Sequence, residues 1–286
     1  MKRKRLISCL LALALLLPTL LSLGGCAAKN TVVLRVFSWE EYIDEGGEDS
    51  YAASEDNPNP LPVIAEFENW YEETYQTPVR VEYSTFGTNE DMYNQLKLGN
   101  TYDLVCPSEY MIMKLIAEDM LEPLNEEFFD EENELNYYVN NVSPYIADVF
   151  EEERELNGVK HKLATYSAGY MWGTTGLIYN PEAEKDVEQK GWSVLLDPAY
   201  KKRVTTKDNV RDSYFVGLAI RYRDDLLKLD KNADNYNSEL TKMMNRTDDV
   251  AIAEVQKVLL EMKENIFGFE TDTGKSDMVK GTISIN

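Results

Sequence analysis

Two short stretches of the chain combine aromatic side chains with carboxylates. One runs from Trp39 to Tyr42 with the sequence Trp-Glu-Glu-Tyr, and the other runs from Pro107 to Tyr110 with Pro-Ser-Glu-Tyr. An alkyl ammonium ion can lay its methylene groups against an aromatic ring while its charge meets a carboxylate and the electron-rich face of the ring. In the alternative interpretation the rings pack in the core and the carboxylates are solvated surface. Composition alone favours that alternative.

A third stretch, from Asp208 to Asp212, has the sequence Asp-Asn-Val-Arg-Asp and lies directly before a predicted helix. Its carboxylates could bind a cation, or they could cap the amino-terminal end of that helix. The sequence leaves both roles open.

The elements that must position these stretches alternate along the first half of the chain. β-Branched and apolar residues predict strands at 31–37, 78–83 and 102–106, and helical spacing predicts helices from Val63 and over 92–98. This order is typical of a parallel sheet covered by helices, and such sheets bind ligands where strands end. The first two aromatic and acidic stretches each follow a predicted strand. This placement supports the ligand-binding interpretation, but it does not outweigh the composition, which favours core packing and solvated surface.

The second half of the chain repeats the alternation less clearly. We predict strands at 176–180 and 282–285, and helices at 212–228 and 250–263. The acidic, glycine- and proline-containing stretch 44–62 is predicted to be a loop.

The amino terminus indicates export. Basic residues from Lys2 to Arg5 precede an apolar run, and the sequence Leu-Gly-Gly-Cys ends at Cys26. The run is short for a membrane span and contains Pro18. We therefore predict a lipoprotein signal peptide at 1–25, a lipid on Cys26 and a tether at 26–30. The protein is expected on the extracytoplasmic side of a membrane, in a periplasm or at the cell surface.

The chain is strongly acidic, with 51 Asp and Glu against 29 Lys and Arg and a net charge of −22. Such a field repels nucleic acid and favours cationic solutes, although most of these charges are expected to be solvated surface. Only Cys9, Cys26 and Cys106 are present. Because the first is predicted to be removed and the second lipidated, a conventional core must stabilise the fold, and the chain is long enough for two lobes.

Enzymes and metal-binding proteins are the competing classes. The only histidine, His161, lies between two lysines, which indicates surface more than a general base, and adjacent carboxylates such as Glu40 and Glu41 tend to point to different sides. The 18 tyrosines could supply oxygen ligands to iron, although no paired-tyrosine run follows a predicted strand. A binding protein for another organic cation or an amino acid also stays open.

Four segments in register resemble the spermidine/putrescine-binding proteins of polyamine ABC transporters: 37–42, 83–93, 102–110 and 166–180. The resemblance runs from about Thr31 to the last residue. It implies an α/β, two-lobed periplasmic-binding-protein fold with parallel-rich sheets and a hinge, with lobes at 31–177 and 178–286. It further implies no catalysis and no cofactor, a monomer, and three partners: putrescine or spermidine, an ABC permease and its ATPase.

Site residues carry over by position. The resemblance implies aromatic walls at Trp39 and Tyr42 and an ammonium-binding carboxylate at Glu41, whereas Glu40 stands where the family has threonine. The family pattern Asp-Asp-Ala-Arg-Glu is similar to residues 208–212, with Asn209 in place of an amine-binding aspartate. These substitutions move negative charge, so ligand length and amine count do not carry over. The predicted ligand residues are Trp39, Glu40, Glu41, Tyr42, Ser108, Tyr110, Asn209 and Asp212.

The carboxyl terminus resembles a segment after which the family continues. The matching stretches are 269–272 and 278–285. The resemblance therefore implies an incomplete second lobe without its return to the first lobe, and the loss of two tryptophans, an aspartate and a tyrosine of the usual site. We expect a truncated reading frame or gene boundary, with reduced stability and affinity.

Overall fold

A computed structural model of the chain describes residues 31–271 and 273–286. The predicted signal peptide, Cys26 and the tether lie outside these residues. Within them, none of the helices combines the length and the apolar character that a membrane crossing requires. The chain forms two compact units: the first holds the described residues up to Ser84 with Thr101–Val105, and the second holds Thr85–Asn100 with Cys106–Asn286. These units interleave along the chain, whereas the predicted lobes are continuous, and the lobe boundary near residue 177 stays a prediction.

The first unit is built on a three-stranded sheet. Strand β1 (Val32–Trp39) lies between β2 (Val79–Phe86) and β3 (Leu104–Val105), and helix α1 (Val63–Tyr75) connects β1 to β2. The last two residues of β2 are assigned to the second unit. β1 and β3 are parallel, with Val36 opposite Leu104. The three predicted strands and the predicted helix from Val63 are confirmed, although β3 is shorter than its apolar run.

The predicted loop at 44–62 is ordered by one carboxylate. Asp44 accepts hydrogen bonds from the Ser50 hydroxyl at 2.7 Å and from the Gly46 N–H at 2.8 Å. These bonds, that of Ser50 above all, hold the pKa of Asp44 below its ordinary value. Gly46 has a φ of +74°, and a Cβ there would lie 2.5 Å from the Pro60 carbonyl oxygen. The close approach of backbone to backbone explains why glycine is required at this turn.

The second unit contains most of the helices and four short strands. Two of these strands, Thr205–Lys207 and Gly268–Glu270, are parallel, with Thr206 opposite Phe269. The other two, Arg154–Leu156 and Val159–His161, form an antiparallel hairpin. Its strands are β4 (Arg154–Leu156), β5 (Val159–His161), β6 (Thr205–Lys207) and β7 (Gly268–Glu270). Its helices are α2 (Asn89–Lys97), α3 (Glu109–Ala117), α4 (Tyr137–Asn141), α5 (Pro144–Glu151), α6 (Val187–Lys190), α7 (Val210–Arg221), α8 (Arg223–Leu226), α9 (Tyr236–Met244), α10 (Asp249–Asn265) and α11 (Gly274–Lys280).

The core of the second unit forms where α7 packs against α10. A Cβ at Gly217 would lie 2.6 Å from a methyl carbon of Val255, so the glycine permits the close approach of the two helices. The predicted helices at 212–228 and 250–263 are confirmed in type. The first of them begins earlier, at Val210, and is interrupted at Tyr222. The buried side chains of the main cluster are Val187, Val194, Leu195, Tyr200, Val204, Val216, Met262, Ile266 and Ile285.

Residues 285 and 286 contribute to the second unit's packing. Ile285 is fully buried and forms bridges to Tyr179 on one side and Val204 on the other. The Thr205 hydroxyl donates to the side-chain oxygen of Asn286 at 2.8 Å. The strands predicted at 176–180 and 282–285 therefore contribute isolated bridges instead of full strands.

Candidate functional site

A single buried amide fixes two of the predicted ligand residues. Asn89 begins α2, whose first turn is capped by the Thr88 side chain, and it is completely buried. Its amide nitrogen donates to the Ser108 hydroxyl at 3.1 Å and to the Tyr110 hydroxyl at 2.9 Å. Its carbonyl oxygen accepts from the Ser108 N–H at 3.0 Å. Because a buried polar network orients its members, Ser108 and Tyr110 are held in one arrangement at the start of α3.

Tyr110 is the aromatic centre of this group. Its hydroxyl donates to Glu90 at 3.0 Å. Burial raises the pKa of Tyr110, the negative charges of Glu90 and Asp212 act in the same direction, and the Asn89 bond opposes them. The phenol therefore stays neutral at physiological pH. It offers a ring face and a hydroxyl, and this environment disfavours the phenolate that a metal site would require.

Asn209 caps α7. Its side-chain oxygen accepts from the N–H groups of Arg211 at 2.9 Å and Asp212 at 3.1 Å. Of the two roles that the sequence left open for residues 208–212, capping is thus performed by the amide of Asn209. Its oxygen is committed to the backbone, and a ligand contact from Asn209 stays a prediction.

Asp212 lies in the first turn of α7 and is half-buried. Burial raises its pKa above the ordinary value, and the positive charges of Lys207 and Arg211 offset part of that effect. A carboxylate that has lost part of its water gains from a cation placed beside it. Asp212 therefore has the electrostatic environment expected of a cation-binding group.

Glu109 is shared between two arginines. One carboxylate oxygen lies 3.4 Å from Arg154 Nη1 and the other lies 3.3 Å from Arg211 Nη1. The guanidinium carbon of Arg211 also lies 5.8 Å from the centre of the Tyr110 ring. Arginine, carboxylate and aromatic ring are therefore brought together from α3 and α7. The sequence offered no pattern that pairs positions so far apart.

The predicted ligand residues of the first unit form a separate group. Trp39 ends β1, and its ring lies 6.3 Å from that of Tyr42 with a tilt of 43°. Both aromatic residues are partly buried, whereas Glu40 and Glu41 are exposed. Glu41 has a φ of +55°, a left-handed conformation that is uncommon for glutamate. The chain therefore turns sharply after β1.

An apolar cavity lies elsewhere in the second unit. It has a volume of about 590 Å³, and none of the predicted ligand residues lines it. Among residues 31–271 and 273–286, no three His, Cys, Asp or Glu side chains come close enough to hold a metal ion. The candidate site in the second unit is thus the group around Asn89 and Tyr110.

Comparison with known families decides the class of protein. The family described as bacterial extracellular solute-binding protein matches residues 100–267, which is more than half of the chain. The chain belongs to this family of solute-binding proteins. Its members are binding proteins and not enzymes, in agreement with the class predicted from the sequence.

Named relatives confirm the resemblance found in the sequence. The solute-binding protein is 24% identical over 267 residues to the spermidine/putrescine-binding periplasmic protein of Salmonella typhimurium, covering 93% of this chain and 60% of the relative. The same identity and coverage hold for the spermidine/putrescine-binding periplasmic protein of Escherichia coli (strain K12). The chain thus spans about three fifths of the length of the curated relatives it matches.

Solved structures show the fold. One is the substrate-binding protein of a spermidine/putrescine ABC transporter from Streptococcus pneumoniae, in complex with calcium and HEPES; it is 24% identical with a TM-score of 0.52, covering 89% of this chain and 61% of that one. Another is a lipoprotein of Treponema pallidum, 18% identical with a TM-score of 0.58, covering 88% and 62%. These neighbours are two-lobed periplasmic binding proteins. The solute-binding protein has their α/β fold, as predicted.

Proposed function

We propose that this protein is the extracytoplasmic receptor of an ABC importer and captures a polyamine, putrescine or spermidine. It presents the ligand to a membrane permease driven by a cytoplasmic ATPase. A lipid on Cys26 tethers it to the membrane. The observation that carries the proposal is the grouping of the neutral Tyr110 ring with the carboxylates of Glu90 and Asp212.

This grouping suits an alkyl ammonium ion. Taking an ammonium group out of water is costly unless carboxylates replace the lost hydration. Asp212 is half-buried, and burial is the largest cause of its raised pKa. A ligand cation beside it would therefore stabilise its ionised carboxylate. The face of Tyr110 adds an attraction of about 0.5–2 kcal/mol for a cation placed over it. The relatives named as spermidine- or putrescine-binding proteins support this choice of ligand.

The turn after β1 supplies a second group of ligand residues. In this proposal Trp39 and Tyr42 act as aromatic walls, and Glu41 receives a terminal ammonium group. Glu40 adds a further negative charge. The partial burial of Trp39 and Tyr42 and the left-handed backbone at Glu41 support a functional role, because strained conformations cluster at such sites.

The proposal is tested by thermal melting of the full chain, purified in detergent. Putrescine, spermidine, an amino-acid mixture and ferric citrate are added in turn, the last with and without a chelator. A ligand that binds only the folded state raises the midpoint with its concentration. We expect a saturable rise with a polyamine alone. A rise only with amino acids, or only with ferric citrate and reversed by the chelator, would assign this fold to another ligand.

The membrane tether has its own test. A Cys26→Ala variant lacks the thiol that accepts the lipid, so we expect it to leave the membrane fraction while the wild-type chain remains there. Mass spectrometry of the wild-type amino-terminal peptide should show acylated Cys26. A Cys106→Ala variant is the matched control and should stay in the membrane fraction. Equal fractionation of all three chains would contradict the tether.

A further inference from the structure

We infer that Arg211 is a built-in cation that occupies the ammonium position beside Tyr110 and is displaced when a polyamine binds. This inference rests on the proposed function. It adds that Arg211 competes with the ligand and thereby lowers the affinity of the same site for a polyamine. The guanidinium carbon lies 5.8 Å from the centre of the Tyr110 ring, and Nη1 lies 3.3 Å from Glu109. The charge also acts on Asp212, whose pKa it lowers against the effect of burial.

The position of Arg211 repeats the chemistry expected of the ligand. A polyamine ammonium needs an aromatic face and a carboxylate within reach, and Arg211 already uses both. Two cations cannot occupy one ring face without repulsion. A ligand ammonium that contacts the same face of Tyr110 must therefore move the guanidinium aside.

Arg211 is held loosely enough to move. Its side chain is 46% exposed, and an exposed ion pair of this kind contributes little stability. Arg154, at 21% exposed, is less accessible to solvent, and its Nη2 donates to the Val149 carbonyl at 3.4 Å. Because Arg154 also contacts Glu109, that carboxylate keeps a positive partner after Arg211 leaves. Displacement therefore leaves no buried charge unpaired.

The same helix provides a matched control. Arg221, at the other end of α7, lies 2.9 Å from Glu254, and its guanidinium carbon lies 5.1 Å from the Tyr222 ring. This arrangement of arginine, carboxylate and ring copies that of Arg211. At a helical rise of about 1.5 Å per residue the two arginines are roughly 15 Å apart along the axis, beyond the screening length of about 8 Å at physiological salt. Loss of Arg221 thus tests a change in overall charge alone.

Calorimetric titration of the full chain with putrescine and spermidine tests the inference. We expect Arg211→Gln to bind about fivefold more tightly than wild type, because a competing ring contact and ion pair are removed. Arg211→Lys keeps the charge but loses the planar group that contacts ring and carboxylate together, so we expect a smaller gain. Arg221→Gln should match wild type. The strongest support would be polyamine binding that is detected for Arg211→Gln and for none of the other chains.

Several outcomes would overturn the inference. Unchanged or weaker binding by Arg211→Gln, with wild type still binding, would remove the competitor and leave the proposed function intact. Equal gains in Arg211→Gln and Arg221→Gln, or no gain in Arg211→Lys, would reduce the effect to charge alone. If neither wild type nor Arg211→Gln binds a polyamine while both melt cooperatively, the inference and the proposed function fail together. If Arg211→Gln does not fold, the polyamine affinities of Arg211→Lys and wild type are compared instead, and equal affinities would overturn the inference.

Discussion

The two groups of predicted ligand residues are built in different ways. The group after β1 comes from four consecutive residues, and a turn with a left-handed Glu41 sets its geometry. The group around Tyr110 comes from α2, α3 and α7, and the buried side chain of Asn89 sets its geometry. A turn depends on local backbone, whereas a buried network depends on the folded unit. Changes in the first group should therefore affect ligand binding, and changes in the second should affect stability as well.

The largest effect is expected at Asn89. Asn89→Ala leaves the Ser108 N–H without its acceptor and removes the donor to Tyr110. Each buried polar group that loses its partner costs about 1–3 kcal/mol, so unfolding in urea should occur at clearly lower denaturant. Polyamine affinity should fall in the same variant. Asn100→Ala is the control, since Asn100 is exposed just beyond the end of α2. Equal midpoints for the two variants would break the comparison.

Glu41 should show the opposite combination. Glu41→Gln removes the charge proposed to receive an ammonium group, and we expect polyamine affinity to fall about tenfold to hundredfold in titration calorimetry. The melting midpoint without ligand should change much less than that of Asn89→Ala, because Glu41 is exposed whereas Asn89 is buried. Glu126→Gln is the control, an exposed glutamate outside both groups. Equal affinities for these two variants would remove Glu41 from the site.

Trp39 sharpens the role of the turn. Trp39→Ala should weaken polyamine binding about fivefold, because the ring offers a cation–π contact and a wall for methylene groups. Trp39→Phe keeps an aromatic face and should restore most of the affinity. Titration calorimetry of both variants separates the two effects. If phenylalanine is no better than alanine, Trp39 contributes packing and the aromatic-wall role is wrong.

Local patterns predicted the first unit well and the second less completely. β1 follows from an apolar run, and its ends lie within two residues of the predicted range 31–37. α1 follows from helical spacing and begins at Val63, as predicted. The hairpin β4–β5 was missed, although the dipeptide Asn157-Gly158 in its turn is a sequence signal for a hairpin. Both residues have positive φ, as such a turn requires. The strands expected at 176–180 and 282–285 failed as full strands because only single residues pair.

The same difference separates the two groups of predicted ligand residues. The turn after β1 could be singled out because its four residues are adjacent at a strand end. Asn89 could not be assigned a role, because its partners lie 19 and 21 positions away and only the folded unit brings them together. The pairing of Glu109 with Arg211, 102 positions apart, was invisible for the same reason. Residue types indicate which interactions a side chain can make, and long-range contacts in the folded unit decide with which partners it makes them.

The smallest expected effect concerns pH and distinguishes a binding carboxylate from a structural one. Burial raises the pKa of Asp212 above its ordinary 3.8, so its ionised form is disfavoured in the folded state. Its favourable contribution is full below that pH and is lost as pH rises through the folded pKa. Asp212→Asn should therefore raise the ligand-free melting midpoint at pH 7, by about 1 °C, and the gain should vanish near pH 3. Polyamine affinity should nevertheless fall.

Asp248 provides the contrasting control. It caps α10, and its hydrogen bonds to Arg246 and to the Ala251 N–H lower its pKa to about 2. Its contribution is therefore present above its ordinary 3.8 and is lost as pH falls toward 2. Asp248→Asn should lower the midpoint at pH 7, with a difference that narrows in acid. If Asp212→Asn instead behaves like Asp248→Asn, then Asp212 stabilises the fold, and the cation-binding role must rest on Tyr110 and Glu90 alone.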